Sequence, residues 1–238
     1  MKIALIGYGR MGRAIERIAL ERGHEICLII SSSNKTALGL NALKEADVAI
    51  EFTQPDAAVH NLLVAINAGV PVVTGTTGWH RHLARVEETC RQKNGALIQA
   101  TNFSVGVQLF FEVNKQLARL MQNHPQYDVS IEEIHHTGKK DAPSGTGITL
   151  AEQILEAISR KKHWVNREAR DETELSLVFK REDPAAGTHS VTYSSPVDDI
   201  QITHTAHNRE GFALGAVLAA EFLKGKQGIF SMKDVLGL

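Results

Sequence analysis

The densest set of reactive side chains is one stretch, Glu133-Ile134-His135-His136-Thr137-Gly138-Lys139-Lys140-Asp141-Ala142-Pro143-Ser144-Gly145-Thr146-Gly147. It follows a run that alternates Val129, Ile131 and Ile134 with acidic neighbours and precedes an amphipathic run, so it reads as a crossing from strand to helix. His135 and His136 offer imidazoles that titrate near neutrality, and Lys139 offers a fixed cation. Ser144, Gly145 and Thr146 at the helix start present hydroxyls and amides suited to an anion. A proton source beside a carboxylate clamp is what a reductase of an imine or activated double bond needs besides hydride. The same residues also fit a plainer role, because paired histidines often end a strand at the surface and Asp-Ala-Pro-Ser is a common turn and cap.

Such a segment needs a partner that carries the hydride, and the chain opens on one. Lys2 to Ile6 is a short apolar run that stops at Gly7-Tyr8-Gly9-Arg10-Met11-Gly12, after which Met11, Ile15, Ile18 and Ala19 recur at helical spacing as far as Gly23. Glu25 to Ile30 reads as the next strand. In a strand–loop–helix–strand context GxGxxG is a dinucleotide fingerprint: Gly7 permits the tight turn, Gly9 lets backbone approach a pyrophosphate, and Gly12 lets helix and strand pack closely. The helix start then faces the anion with unpaired amides. No GK[ST] follows the glycines, so this is not a P-loop.

Ser31-Ser32-Ser33-Asn34-Lys35 occupies the position where NAD-preferring sites usually place a carboxylate for the ribose hydroxyls. Ser31 and Ser32 are candidate adenosine-side contacts, and hydroxyls with Lys35 leave a 2′-phosphate open. The loop also reads as exposed polar chain with no cofactor role.

The alternation continues with strands at Asp47 to Phe52, Pro71 to Thr74 and Ala96 to Ala100, and helices from Pro55 to Gly69 and from Trp79 to Arg91. A parallel, doubly wound α/β sheet follows, in which ligands bind beyond the carboxyl ends of strands. Phe52 and Thr53, then Gly75, Thr76 and Thr77, then Asn102 and Phe103 stand at three such ends and form a candidate nicotinamide rim.

After Phe103 the rhythm changes. A helix over Val107 to Met121 leads to period-two runs at Asp128 to His136, Leu175 to Arg181, Ser190 to Ser195 and Ile200 to Ala206, with helices around Thr149 to Arg160 and Phe212 to Leu223. The fold class expected is α/β, a Rossmann-type parallel sheet plus a smaller mixed α+β sheet domain. The dinucleotide-binding domain would span 1–103, with the helical region 208–238 packing back on it. The substrate-binding and oligomerisation domain would span 104–207.

A net charge of −1 with no basic run argues against a nucleic-acid partner, and no apolar stretch approaches the length of a membrane span. Cys27 and Cys90 lack a CxxC partner and read as reduced, packed thiols, and the eleven histidines fall into no metal-ligand spacing, so no metal is expected. The start of the chain lacks the apolar length of a signal peptide, which makes the cytoplasm the expected location.

The 133–146 segment strongly resembles the dihydrodipicolinate reductase family, which carries Glu-x-His-His-x-x-Lys-x-Asp-Ala-Pro-Ser-Gly-Thr. The likeness runs along nearly the whole chain. It includes Gly9-Arg10-Met11-Gly12-Arg13, Phe52-Thr53-Gln54-Pro55, Gly75-Thr76-Thr77-Gly78 and Asn102-Phe103-Ser104-Val105-Gly106. The tail matches too, in Ile202-Thr203-His204 through Arg209, Phe212-Ala213 and Gly215-Ala216-Val217.

The resemblance implies reduction of 4-hydroxy-tetrahydrodipicolinate, a small dicarboxylate, to tetrahydrodipicolinate with NADH or NADPH and loss of water, on the diaminopimelate route to lysine. It implies His135 as proton donor or acceptor and Lys139 as second donor or polarising cation. His136, Ser144, Gly145 and Thr146 would hold a substrate carboxylate. The loop Gly7 to Gly12, including Tyr8, Arg10 and Met11, the rim residues above with Ala100 and Thr101, and Arg209 would contact the cofactor. A homotetramer is implied as well. The first loop is one residue shorter than the family's GxxGRMG form and the stretch from Ile30 to Asp47 is short, which leaves NADH against NADPH open. Other small dehydrogenases of this plan, and a dinucleotide-binding regulator without turnover, are the competing readings.

Overall fold

The computed structural model describes residues 1–139 and 142–238; Lys140 and Asp141 of the histidine–lysine segment lie outside the described residues. The chain forms two compact units, Met1–Val105 with Arg209–Leu238, and Gly106–Asn208.

The first unit is built on six parallel strands. Strands β1 (Lys2–Ile6), β2 (Glu25–Ile30), β3 (Val48–Glu51), β4 (Val72–Thr74), β5 (Ala96–Gln99) and β11 (Gly228–Phe230) lie in the order β11-β5-β4-β3-β1-β2. The sheet progression therefore reverses beside β1, the switch point at which open α/β sheets bind ligands. Strands β1 and β3 are buried almost throughout, as a parallel sheet covered on both faces requires. On one face α1 (Arg10–Glu21) and α6 (Glu210–Leu223) share a core with Ile3, Leu5, Val48, Ile50 and Ile98. On the other, α2 (Pro55–Asn67) and α3 (Leu83–Gln92) bring Leu62, Ile66, Val86 and Cys90 against Ala4, Ile6 and Leu97.

Several expected boundaries move for local reasons. The segment from Trp79 is a short 3-10 turn at His80–His82 before α3 begins. Trp79 is buried and its Nε1 donates to the Thr76 carbonyl at 2.7 Å, which holds it out of the helix. Strand β11 and the final helix α7 (Met232–Leu236) had no period long enough to read; α7 is one turn closed by a Ser231–Asp234 capping box.

The second unit is a mixed five-stranded sheet in the order β10-β9-β6-β8-β7, with helices α4 (Val105–Met121) and α5 (Gly145–Ala157). Strand β6 (Asp128–His135) pairs parallel with β8 (Glu174–Arg181) and antiparallel with β9 (Gly187–Ser194). Strand β9 pairs antiparallel with β10 (Asp199–Ala206), and the short β7 (His163–Val165) runs parallel to β8. Both sequence-predicted sheets are present, the second mixed as expected. The β6 alternation, however, does not end on Ile134. The buried face runs Val129, Ile131, Glu133, His135, so a carboxylate and an imidazole occupy core positions.

No helix among the described residues is long and apolar enough to cross a membrane. Cys27 is half-buried and Cys90 buried, and neither forms a disulfide.

Candidate functional site

The glycine loop is shaped by contacts that tolerate no side chain. Gly7 adopts φ +103°, and a Cβ there would lie 1.9 Å from the carbonyl oxygen of Phe52. A Cβ on Gly12 would lie 2.2 Å from the Gly7 carbonyl oxygen, so α1 turns off β1 with no room for alanine. At Gly9, the residue that precedes α1, the corresponding direction is open. No side chain caps α1, which leaves the first amides of the helix directed at the loop.

Beside this loop is a cleft of about 390 Å³ lined by Gly9, Arg10 and Met11 from the loop, Phe52, Thr53 and Gln54 after β3, Gly75, Thr76 and Thr77 after β4, and Arg209 at the foot of α6. Eight of the sequence-predicted cofactor residues thus meet in one cleft with Thr53, which the strand-end pattern also offered, and Gln54, which stands only in the family motif. A buried carboxylate fixes the rim. Glu51 is fully buried, accepts from Thr74 Oγ1 at 2.6 Å and from the Thr53 hydroxyl, and lies beside Asn61. The Thr53 amide donates to Thr76 Oγ1 at 2.8 Å. The end of β3 is thereby tied to the end of β4. Glu51 escaped notice because it sits inside the apolar run Val48-Ala49-Ile50.

The remaining cofactor candidates are distributed differently. Ala100, Thr101 and Asn102 follow β5 on the same rim, but the Phe103 side chain is core, 2% exposed, with its ring 5.7 Å from that of Phe52. The Tyr8 hydroxyl donates to Glu16, and the Arg13 guanidinium lies over the Tyr8 ring. Ser31 and Ser32 follow β2, where Ser31 is bound into a turn: its amide donates to Asn34 Oδ1 at 2.6 Å and its hydroxyl meets Ser33 Oγ at 2.7 Å.

In the second unit the segment that opens α5 is organised around Glu133. This carboxylate is fully buried and takes both donors of Ser144, the amide at 2.9 and 3.1 Å and the hydroxyl at 2.5 Å. Ser144 Oγ in turn accepts from the Gly147 amide at 3.0 Å, capping α5 at Gly145, earlier than the periodicity suggested. Gly147 is close-packed, since a Cβ there would lie 2.5 Å from Glu133 Oε2.

His189 of β9 completes the cluster, with Nε2 3.1 Å from Ser144 Oγ and 3.6 Å from Glu133 Oε2. The only hydrogen on Ser144 Oγ goes to the carboxylate, so His189 Nε2 is the donor in their contact. His189 was missed because a single histidine in a strand carries no spacing signal.

His135 lies against this cluster. Its Nε2 is 4.0 Å from Glu133 Oε2 and its ring is 5.1 Å from the His189 ring, edge to face. The residue is 7% exposed, and its Nε2 has no hydrogen-bond partner among the described residues.

The electrostatics revise two expectations. Burial alone would raise the Glu133 pKa, yet the bonds from His189 and Ser144 overcome it and hold the carboxyl at about 2. His135 does not titrate near neutrality. Burial first, then the neighbouring His189, push it down to about 4, opposed by Glu133 and assisted by Lys139 and Arg181. Ser144 is likewise not open to a substrate carboxylate, because its hydroxyl and amide serve Glu133 and the helix cap. His136 and Lys139 are half-buried, Gly145 is exposed and Thr146 half-buried at the same helix start.

Glu133, His135 and His189 also bring potential metal-ligand atoms within 4.8 Å of one another. Both carboxylate oxygens accept from Ser144 donors, and the positive end of α5 stands over them.

A parallel sheet with a glycine loop at its switch point, joined to a mixed sheet that buries a Glu–His–His cluster under a helix start, defines a two-unit α/β protein of the Rossmann type. Family models agree along the chain. Residues 1–103 match "Dihydrodipicolinate reductase, N-terminus" and residues 106–236 match "Dihydrodipicolinate reductase, C-terminus". The chain belongs to the dihydrodipicolinate reductase family. It is 52% identical to a 4-hydroxy-tetrahydrodipicolinate reductase of Christiangramia forsetii over 99% of this chain and 98% of that one. It is 35% identical to the enzyme of that name from Methanopyrus kandleri, over 98% and 95%. Among solved structures, a dipicolinate-bound dihydrodipicolinate reductase from Paenisporosarcina shares the fold at TM-score 0.74 and 19% identity, with 97% of each chain covered. An amine dehydrogenase from Mycobacterium smegmatis shares it at TM-score 0.61 and 13% identity, over 98% and 95%.

Proposed function

We propose that the protein reduces 4-hydroxy-tetrahydrodipicolinate to tetrahydrodipicolinate, with NADH or NADPH as reductant and loss of water, in the diaminopimelate route to lysine. The observation that carries this reading is the Glu133–Thr146 segment, intact in a chain 52% identical from end to end to a relative of that name. The dipicolinate held by the Paenisporosarcina relative supports a small dicarboxylate as the substrate class.

The first unit fits a dinucleotide. The tight approaches at Gly7 and Gly12 and the open side of Gly9 give the pyrophosphate a backbone cradle at the α1 start, with Tyr8, Arg10 and Met11 in the same loop. Phe52, Gly75, Thr76 and Thr77 line the nicotinamide side of the cleft with Arg209, and Ala100 to Asn102 with the Phe103 backbone, which follow the adjacent β5, extend it. When bound, the nicotinamide ring supplies the hydride. The absence of a carboxylate from Ser31 to Lys35, with Ser31 and Ser32 facing the adenosine side, suits a 2′-phosphate as well as a free ribose.

In the second unit the protein's own groups handle charge and protons. His136 and the Gly145 and Thr146 amides bind a substrate carboxylate. Lys139 presents an ammonium that donates a proton to the substrate or polarises it. His135, neutral at physiological pH, accepts or passes on a proton rather than starting the cycle as a charged acid. A homotetramer in the cytoplasm completes the proposal.

The test couples a dihydrodipicolinate synthase to this protein and follows nicotinamide absorbance with each dinucleotide. Loss of absorbance that depends on the synthase supports the reading. Dinucleotide binding without consumption in that mixture refutes it in favour of a non-catalytic dinucleotide-binding protein.

A further inference from the structure

We infer that Glu133 and His189 are positioning residues for His135: buried behind it, they hold its imidazole as the Nε2–H tautomer and leave Nδ1 as the nitrogen that exchanges protons. The inference rests on the reading that His135 serves the reaction.

Three observations carry it. First, the cluster has a fixed direction of hydrogen bonding. The Ser144 amide and hydroxyl donate to Glu133, and His189 Nε2 donates to Ser144 Oγ. The carboxylate therefore stays acceptor-only, and a histidine that turns a nitrogen toward it must present a hydrogen.

Second, His135 turns Nε2 that way. That atom is buried without a partner among the described residues and faces Oε2 at 4.0 Å, longer than a hydrogen bond. Contacts of this kind are often long before substrate binds and tighten afterwards.

Third, the opposite edge of the ring is kept clear. Gly187, at the start of β9, adopts φ +152°, and a Cβ there would stand 3.0 Å from His135 Cε1 and 3.2 Å from Nδ1. A side chain at 187 would crowd the Nδ1 edge; glycine does not. Carboxylate, imidazole and open nitrogen then follow the logic by which a buried acid orients a catalytic histidine and sets its tautomer.

The charged and titratable groups that face His135 are Glu133 on its own strand, His189 on β9, Arg181 on β8 and Lys139 just beyond β6, while α5 contributes the neutral Ser144 hydroxyl. Glu133 favours the protonated ring and His189 opposes it. The two residues therefore act on the ring's protonation with opposite sign, so their substitutions are separable in one titration.

The experiment is ¹⁵N NMR of the histidine rings in the substrate-free protein, for wild type, Glu133→Gln and His189→Gln, with kinetics in parallel. Wild type is expected to show His135 as the Nε2–H tautomer at neutral pH. Its titration midpoint should fall in Glu133→Gln and rise in His189→Gln. In His189→Gln kcat should drop about tenfold or more, with the substrate KM and the dinucleotide Kd within about twofold of wild type.

An Nδ1–H tautomer in wild type, or midpoints that move together or not at all, overturns the inference. So does stoichiometric Zn²⁺ uptake read at the His135 and His189 rings, which would make the cluster a metal site. Should Glu133→Gln fail to fold, the wild-type tautomer and the His189→Gln midpoint decide the matter alone. The ring nitrogens are read without substrate, so a failure here leaves the proposed reaction standing. A silent coupled assay likewise leaves the tautomer result standing.

Discussion

Ser144 gives both its hydrogens to Glu133: the amide and the hydroxyl point at one fully buried carboxylate at the start of α5. A helix start that the sequence offers to an incoming anion thus already holds one of the protein's own. Ser144→Ala removes the α5 cap and one of the two donors together. The unfolding free energy should fall by roughly 2–4 kcal/mol. Chemical denaturation of the two proteins at neutral pH measures it, and a loss within experimental error would contradict this account of the buried charge.

Acid should weaken the fold in two overlapping windows. His135 is pushed from 6.5 to about 4, so below pH 6.5 the unfolded chain takes up a proton that the folded chain refuses. Glu133 is held at about 2 against 4.5, so its contribution is complete above 4.5 and is lost as the pH falls toward 2. Both effects have the same sign: stability rises with pH, first through Glu133 and then through His135. Denaturation midpoints measured from pH 7 down to 4 should decline steadily. In His135→Gln the decline between 6.5 and 4.5 should flatten.

The glycine loop separates fold from binding. Gly12→Ala places a methyl against the Gly7 carbonyl and should cost the fold roughly 1–3 kcal/mol together with dinucleotide binding. Gly9→Ala meets open space in the protein, so its unfolding midpoint should stay near wild type while dinucleotide Kd rises. Equal effects of the two changes in a thermal-shift and fluorescence-binding series would argue against a pyrophosphate at Gly9.

Thr76→Val keeps the shape of the β4 rim but deletes the acceptor of the Thr53 amide. A half-buried amide left unpaired costs up to about 1–2 kcal/mol, and the strand-end geometry loosens. Dinucleotide Kd should rise severalfold, and titration calorimetry reports it.

Lys139→Ala tests the proposed donor. Turnover should fall by roughly 10²–10⁴-fold in the coupled assay, with dinucleotide affinity unchanged. Turnover close to wild type would remove Lys139 from the chemistry.

Much of this was legible before any coordinates. GxGxxG between an apolar run and a helical period specified the first unit, because close backbone contact at Gly7 and Gly12 admits no other residue type. The helix start at Ser144 was legible from its capping residues, though the apolar period begins only near Thr149. Glu133 and His189 were not, because a one-dimensional pattern assigns Ile134 to the core face and cannot show that two polar side chains on neighbouring strands satisfy each other there. The same blindness made His135 look like a residue titrating near neutrality: its pKa is set by burial and by His189, more than fifty positions away along the chain. Phe103, at a strand end expected to face a ligand, instead turned its ring into the core, where the neighbouring α6 covers it.

The first unit is not continuous in sequence: its chain leaves at Val105 and resumes at Arg209. Most of one face depends on the late part, since Ala213, Ala216, Val217, Ala220 and Leu223 of α6 are fully buried and Gly215 rides on the Phe103 carbonyl. On the ribosome, β1 to β5 would emerge with that face covered by α1 alone and stay so while the whole of 106–208 is synthesised. Residues 106–208 can complete their own core first. The half of the molecule translated earliest is thus the last to be finished, and a nascent chain stalled before α6 would present an open apolar sheet to whatever chaperone meets it.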